Sequence, residues 1–110
     1  MTPREQLEYA AKAMGLAGRW HKREHEYAAD DGFLLFTGVR WSPDTDQADS
    51  DRMGAKLRIN ILYQDGVIQA SAKDCDSVKY VFHNNTDEDV FRAVREARLA
   101  VAVEIGKGMK

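Results

Sequence analysis

Cysteine is nearly missing from this chain. Cys75 stands alone among 110 residues, so no intramolecular disulfide forms and a reducing compartment is the natural setting. Long apolar runs are missing too. None approaches the roughly 18–20 residues needed to span a bilayer, and the opening MTPREQLEYAAKAMG has neither the basic start nor the apolar centre of a secretion signal. A cytoplasmic protein is expected. There is no surplus of positive charge: 16 Lys and Arg face 18 Asp and Glu, for a net −2. A protein that neutralises several phosphates normally carries a visible basic excess, so the whole-molecule balance disfavours nucleic acid while leaving room for a local patch. Repeats, low-complexity tracts and linkers are also absent.

What is present is ordinary for a globular fold: 44% hydrophobic and 31% charged residues. Residues 1–110 are long enough for one domain with one core that needs no metal or disulfide. Thr2-Pro3-Arg4-Glu5 reads as a capping box with proline at the first helical position. Leu7, Ala10, Ala11 and Met14 then recur at helical spacing until Gly15 or Gly18. RWHKREHEY is polar and suits an exposed strand or irregular extension. GFLLFTGVRW is a strand bent at Gly38 or two short strands, closed by Ser42-Pro43.

Asp44, Thr45 and Asp46 are competent caps for a helix from about Asp46 to Lys56. Leu57, Ile59, Ile61 and Tyr63 alternate with Arg58, Asn60 and Leu62, and Asp65-Gly66 signals a type I′ hairpin returning through Val67–Ala72. Val78, Tyr80 and Phe82 mark a further strand. The last helix opens on Thr86 with Asp89 in the capping-box position, and Val90, Phe91, Val94, Ala97, Val101, Ala102 and Ile105 line one side. Direct hairpins without strand–helix–strand alternation favour an α+β fold. The expected architecture is an α/β sandwich: a mainly antiparallel sheet of about four strands, two long terminal helices and one short central helix. Trp41–Tyr63 would be its organising stretch, with the other segments layered against the Leu57–Tyr63 strand.

WSPDTDQADSDRMGAKLRINI and the closing TDEDVFRAVREARLAVAVEIGKGM carry a family resemblance. The matching residues are Trp41, Pro43, Asp44, Asp46, Asp49, Ala55, Lys56, Leu57 and Ile59, then Arg92, Ala93, Ala97, Ala102, Glu104, Ile105 and Gly106. In these, the second two-thirds of the chain resembles the phage ABA sandwich domain of small phage and prophage proteins. Val103 departs from the expected alanine, and RWHKREHEY has no counterpart. The resemblance implies an α/β sandwich of phage or prophage origin, placed in the host cytoplasm. It implies no activity, no cofactor and no transferable site.

Three groups invite chemistry. His21, Glu24 and His25 fit the H-x-x-E-H zinc-peptidase pattern, which needs both imidazoles on one helix and a third ligand from Glu88, Glu96 or Glu104. Exposed histidines in a polar strand are the simpler reading. Arg19, Trp20, His21, Lys22, Arg23 and His25 also form a basic cluster around an aromatic ring, which suits single-stranded nucleic acid. Glu24 and Glu26 dilute it, and a charged edge strand explains it more simply.

Asp44, Asp46, Asp49 and Asp51 suggest a hard cation, but a calcium loop starting at Asp44 would need Gly and Glu where Asp49 and Ala55 stand. Capping accounts for Asp44 and Asp46, and Asp49 and Asp51 read as acidic surface. Cys75, in a polar turn between Asp74 and Asp76, makes a poor nucleophile. Eight of the ten aromatics, Trp20, Phe33, Phe36, Trp41, Tyr63, Tyr80, Phe82 and Phe91, read mostly as core. Leu35, Leu62, Ile68 and Val81 would mark a partner surface if one sheet face stays uncovered.

With no convergent catalytic set, and with that family resemblance, the leading expectation is a non-enzymatic phage or prophage accessory protein. It would bind a host or phage protein, or itself. Nucleic-acid binding through Arg19–His25 and the helix arginines Arg92, Arg95 and Arg98 is the alternative, and a zinc hydrolase through His21, Glu24 and His25 the second. A small acidic phage protein also suits blocking of a host defence system by mimicry of nucleic acid, although no particular residue carries that idea.

Overall fold

A computed structural model describes residues 1–23, 31–73, 75–81 and 86–109. In chain order these form α1 (Pro3–Met14), β1 (Gly18–His21), β2 (Gly32–Leu35), β3 (Arg40–Trp41), α2 (Gln47–Lys56), β4 (Asn60–Gln64), β5 (Val67–Ala72), β6 (Cys75–Val81) and α3 (Asp87–Gly108). The α+β class and antiparallel pairing agree with the sequence. The described strands, however, fall into two three-stranded sheets, ordered β1-β2-β3 and β4-β5-β6. The division follows from α2, which carries the chain away from β3 before β4 starts. Each sheet then closes on consecutive strands.

The helix starts are those that the local chemistry dictates. Thr2 accepts from the Glu5 amide while the Glu5 side chain accepts from the Thr2 amide, a complete capping box. Asp46 caps α2 through the Asp49 amide, and Thr86 caps α3 through the Asp89 amide. Gly15, at φ +70°, ends α1 in the left-handed region that only glycine occupies without strain. The turn at Asp65-Gly66 differs from expectation. Gly66 has φ +71°, but Asp65 is not in the positive-φ region, so this is not a type I′ turn and resembles type II.

Two cores lie on either side of α3. In the first, Leu7, Ala10, Ala11 and Met14 of α1 meet Phe33, Trp41, Met53, Leu99, Ala102 and Val103. In the second, Ile59, Ile68 and Ala70 meet Ala93, Val94, Ala97 and Val101 of α3. Leu57 packs against both. The last helix therefore buries two stripes, whereas its sequence suggested one; Leu99 and Val103, off the expected side, face the first core, and Ala93 joins Val94, Ala97 and Val101 in the second.

The expected centre of the sheet also moves. β4 is an edge strand, exposed at four of its five residues, and Leu57 ends α2 without entering a strand. Alternation reveals a strand's period, but its place within a sheet depends on neighbours distant in sequence.

At the α1–α3 crossing the backbones come close. A Cβ built on Gly106 would overlap the carbonyl of Tyr9, whereas one built on Gly108 meets nothing within 4 Å. Gly106→Ala should therefore cost about 1–3 kcal/mol, seen as a fall in Tm of at least about 4 °C. Gly108→Ala should stay within about 0.5 kcal/mol of the native chain. Equal thermal shifts for the two variants would contradict this packing.

Candidate functional site

Register determines which side chains share a face of the first sheet. Arg19 pairs with Leu34, and Leu34 with Arg40, so these three stand in one row. Trp20, Phe33 and Trp41 form the next row, which faces the core: Phe33 and Trp41 are buried edge-to-face at 5.9 Å and 74°, and Trp20 packs beside them. Trp20 is thus turned away from the cations it accompanies in sequence, which removes the stacking platform expected of that cluster.

The basic cluster gains a member in exchange. Arg40 lies over Gly32, where a Cβ would sit 2.6 Å from its Nη2. Its distance in sequence from Arg19 hid it; the hairpin at Gly38 was the available signal. Asp31 ties the group together, its carboxylate accepting from the Arg23 amide at 2.6 Å and its carbonyl from Arg40 Nη2 at 2.5 Å. Arg19, Lys22 and Arg23 are exposed, and His21 is half-buried in β1. His21 is therefore extended, not in the helix that the zinc pattern requires. Glu24, His25 and Glu26 lie outside the described residues, as do Asp74, Phe82 and His83.

The aspartates before and within α2 diverge: three take separate partners, while Asp44, expected as a cap, does not cap the helix and has Oδ1 buried without a hydrogen-bond partner among the described residues. Asp46 caps the helix. Asp49 accepts from the Ser42 amide at 2.9 Å and from Arg52 at 3.2 Å, and Asp51 accepts from Arg98 at 2.6 Å and Gln47 at 2.9 Å. Asp49 and Asp51 are therefore structural ties, not surplus acidic surface. Among the described residues, no group of three or more His, Cys, Asp or Glu side chains gathers as it would around a metal ion.

The helix arginines are also engaged. Arg92 bridges Asp89 at 2.6 Å and Glu96 at 2.9 Å. Arg95 donates to the Asp44 carbonyl at 3.2 Å and to Gln47 at 3.0 Å, and Arg98 holds Asp51. Cys75 opens β6, where a polar turn was expected, and its thiol faces the Val101 carbonyl at 3.9 Å.

No family model, curated protein or solved structure matches this chain.

The second sheet leaves part of itself uncovered. Ile68 and Ala70 are fully buried under α3, yet Leu62 and Tyr63 on β4 are 53% and 61% exposed, and Phe91 at the start of α3 is 50% exposed. Phe36, in the turn after β2, is 73% exposed. Tyr63, Phe91 and Phe36 were expected in the core. The helix covers β5 and β6 and stops short of the outer strand. Of the four residues expected to mark a partner surface, Leu62 is exposed, Ile68 is core and Leu35 packs beside the first core, while the side chain of Val81 lies outside what is described. Among the described residues no helix is long and apolar enough to cross a membrane.

A hollow of about 360 Å³ opens between α1, the turn before α2, β6 and α3, lined by Gln6, Asp44, Tyr80, Glu96, Leu99 and Ala100. Burial, and then the nearby Glu96 carboxylate, pushes the Tyr80 phenol above its ordinary value of 10.0. Asp44 and Glu96 bring two carboxylates to the hollow's wall, and Glu96 is paired with Arg92.

The Asp51–Arg98 pair allows a pH test. The hydrogen bond from Arg98 holds the Asp51 carboxyl below its ordinary 3.8, against a smaller opposing effect of burial. With its folded value depressed, Asp51 contributes stability above the unfolded-state value and loses it as pH falls through the folded one. Asp51's side chain is 58% exposed, so the contribution should stay under about 1 kcal/mol. Asp51→Asn should lower Tm slightly at pH 7 and converge with the native chain below about pH 3. A difference that persists unchanged in acid would contradict the assignment.

Proposed function

We propose that this chain is a non-enzymatic accessory protein of phage or prophage type, acting by protein–protein interaction through the outer strand of its second sheet. The carrying observation is β4 itself: Leu62 and Tyr63 are more than half exposed on a strand whose far edge pairs with no described strand. An open edge offers a row of unpaired amides and carbonyls to which a partner adds a strand, and the alternating side chains supply selectivity. The likeness of Trp41–Ile59 and of α3, from Arg92 to Gly106, to the phage ABA sandwich domain supports the phage setting. The polar groups of the acidic segment and of α3 are occupied in holding the fold, which favours binding over catalysis.

The second reading, nucleic-acid binding, is favoured by the row of Arg19 and Arg40 with Lys22 and Arg23 at its end. It is weakened by the inward Trp20 and by the engagement of Arg92, Arg95 and Arg98.

A photoreactive benzophenone side chain distinguishes the two. Placed at Tyr63 it should cross-link to protein in producing cells, and placed at Arg19 it should not. Cross-links to nucleic acid from Arg19, together with affinity for DNA or RNA that falls steeply with salt, would replace the first reading with the second. Steady turnover of a substrate, abolished by one polar substitution, would overturn both.

A further inference from the structure

We infer that β4 pairs with β4 of a second copy of this chain, antiparallel about a two-fold axis at Leu62, so that two three-stranded sheets join into one of six strands. The inference rests on the protein-binding reading above and names the partner.

The hairpin determines which backbone groups are available. Gln64 and Val67 close a two-residue loop, with Leu62 opposite Gln69 and Asn60 opposite Ser71. Hydrogen-bonded and non-hydrogen-bonded pairs alternate along an antiparallel ladder. If the closing pair bonds inward, so do Leu62 and Asn60, and Ile61 and Tyr63 turn their amides and carbonyls to the open edge. Centring a second β4 on Leu62 sets Ile61 opposite Tyr63 of the second copy, and Tyr63 opposite its Ile61. Their outward backbone groups pair with no described strand, and in this register they make two hydrogen-bonded pairs. Leu62 meets Leu62 as the non-hydrogen-bonded pair between them, where side chains approach most closely.

Side-chain chemistry matches the same register. Asn60 falls opposite Gln64, Ile61 opposite Tyr63, and Leu62 opposite itself, so polar meets polar and apolar meets apolar throughout. Moving the centre by one residue to Tyr63 would set Ile61 against Asp65. Charge also agrees: Arg58 precedes the strand and Asp65 follows it, both exposed. Antiparallel pairing brings the Arg58 end of each strand alongside the Asp65 turn of the other. Neither charge falls within the strand.

The usual protection against such pairing is missing here. Natural edge strands carry lysine, proline, inward charges or bulges that prevent strand addition. NILYQ has none of these, and its pairing with β5 runs in unbroken register. β1, by contrast, carries Arg19 and is followed by Lys22 and Arg23.

A pair of five-residue strands makes a small interface, in the class under about 1,200 Å² that dissociates readily, so association should appear at roughly tens of micromolar and above. Sedimentation equilibrium of the native chain should show the dimer mass emerging over that range. Leu62→Lys, which sets two ammonium groups face to face on the axis, should weaken association at least tenfold with unchanged circular dichroism and Tm, because Leu62 is exposed.

Register is read by cross-linking. A non-hydrogen-bonded antiparallel pair has Cα atoms about 4.5 Å apart, within disulfide range. Leu62→Cys should oxidise to a covalent dimer, while Asn60→Cys, displaced from its own copy by four residues of strand, should not link. A monomer at every concentration, a Leu62→Lys dimer as tight as the native one, or equal cross-linking of the two cysteine variants would each overturn the inference. If the native chain stays monomeric while the Tyr63 probe links to a different protein, self-pairing fails and the protein-binding reading stands. If that probe links to nothing, both fail.

Discussion

The close approach of α1 to α3 is the contact on which the rest of the structure depends. Gly106 lies against the Tyr9 backbone, and Ala10 and Ala102 are fully buried in the same core. Small residues allow the two helices to approach, and α3 then has a second stripe, Ala93, Val94, Ala97 and Val101, to offer the β4–β6 sheet. One helix of 22 residues is thereby a wall of both cores. Each sheet has only three described strands, and a sheet that small needs a covering helix to be stable. Sharing α3 provides cover for one sheet and a partner for the helix that covers the other.

Charge in this protein is largely used in assembly. Arg95 and Arg98 reach from α3 to the start of α2, joining the Asp44 carbonyl, Gln47 and Asp51, and Lys56 donates to the Met14 carbonyl at the end of α1. Gly54 leaves space for Arg98, since a Cβ there would sit 2.8 Å from its Nε. The acidic stretch and the arginine-rich helix looked like separate sites in the sequence, one for metal and one for phosphate. They form one interface between α2 and α3. Outside that interface, Arg19 and Arg40 share a row on the first sheet, and Leu62 and Tyr63 stand exposed on the outer strand of the second.

Local signals read well from sequence. The caps at Thr2, Asp46 and Thr86, the apolar stripe of α1 and the glycine stop at Gly15 all depend on residues within a turn of one another. Features set by distant residues did not. Leu99 and Val103 lie off the expected apolar side of α3, and the helical period alone does not report that a second core covers them. The alternation in Leu57–Tyr63 suggested a central strand, but nothing local reports that α3 stops short of β4. Arg40 joined Arg19 only through the pairing of both with Leu34, and Trp20 turned inward for the same reason. The acidic residues of the candidate metal site were recognised, but not their directions.

The proposed role rests on the edge of β4 that pairs with no described strand, and amide hydrogen exchange resolved by residue tests it most directly. In dilute protein, the Leu62 and Gln64 amides should be protected by β5, while those of Ile61 and Tyr63 exchange at nearly the rate of open chain. Raising the protein concentration should slow Ile61 and Tyr63 and leave the amides of β5 unchanged. Ile61 and Tyr63 amides as protected as Leu62 in dilute solution, or unprotected at every concentration, would contradict the account.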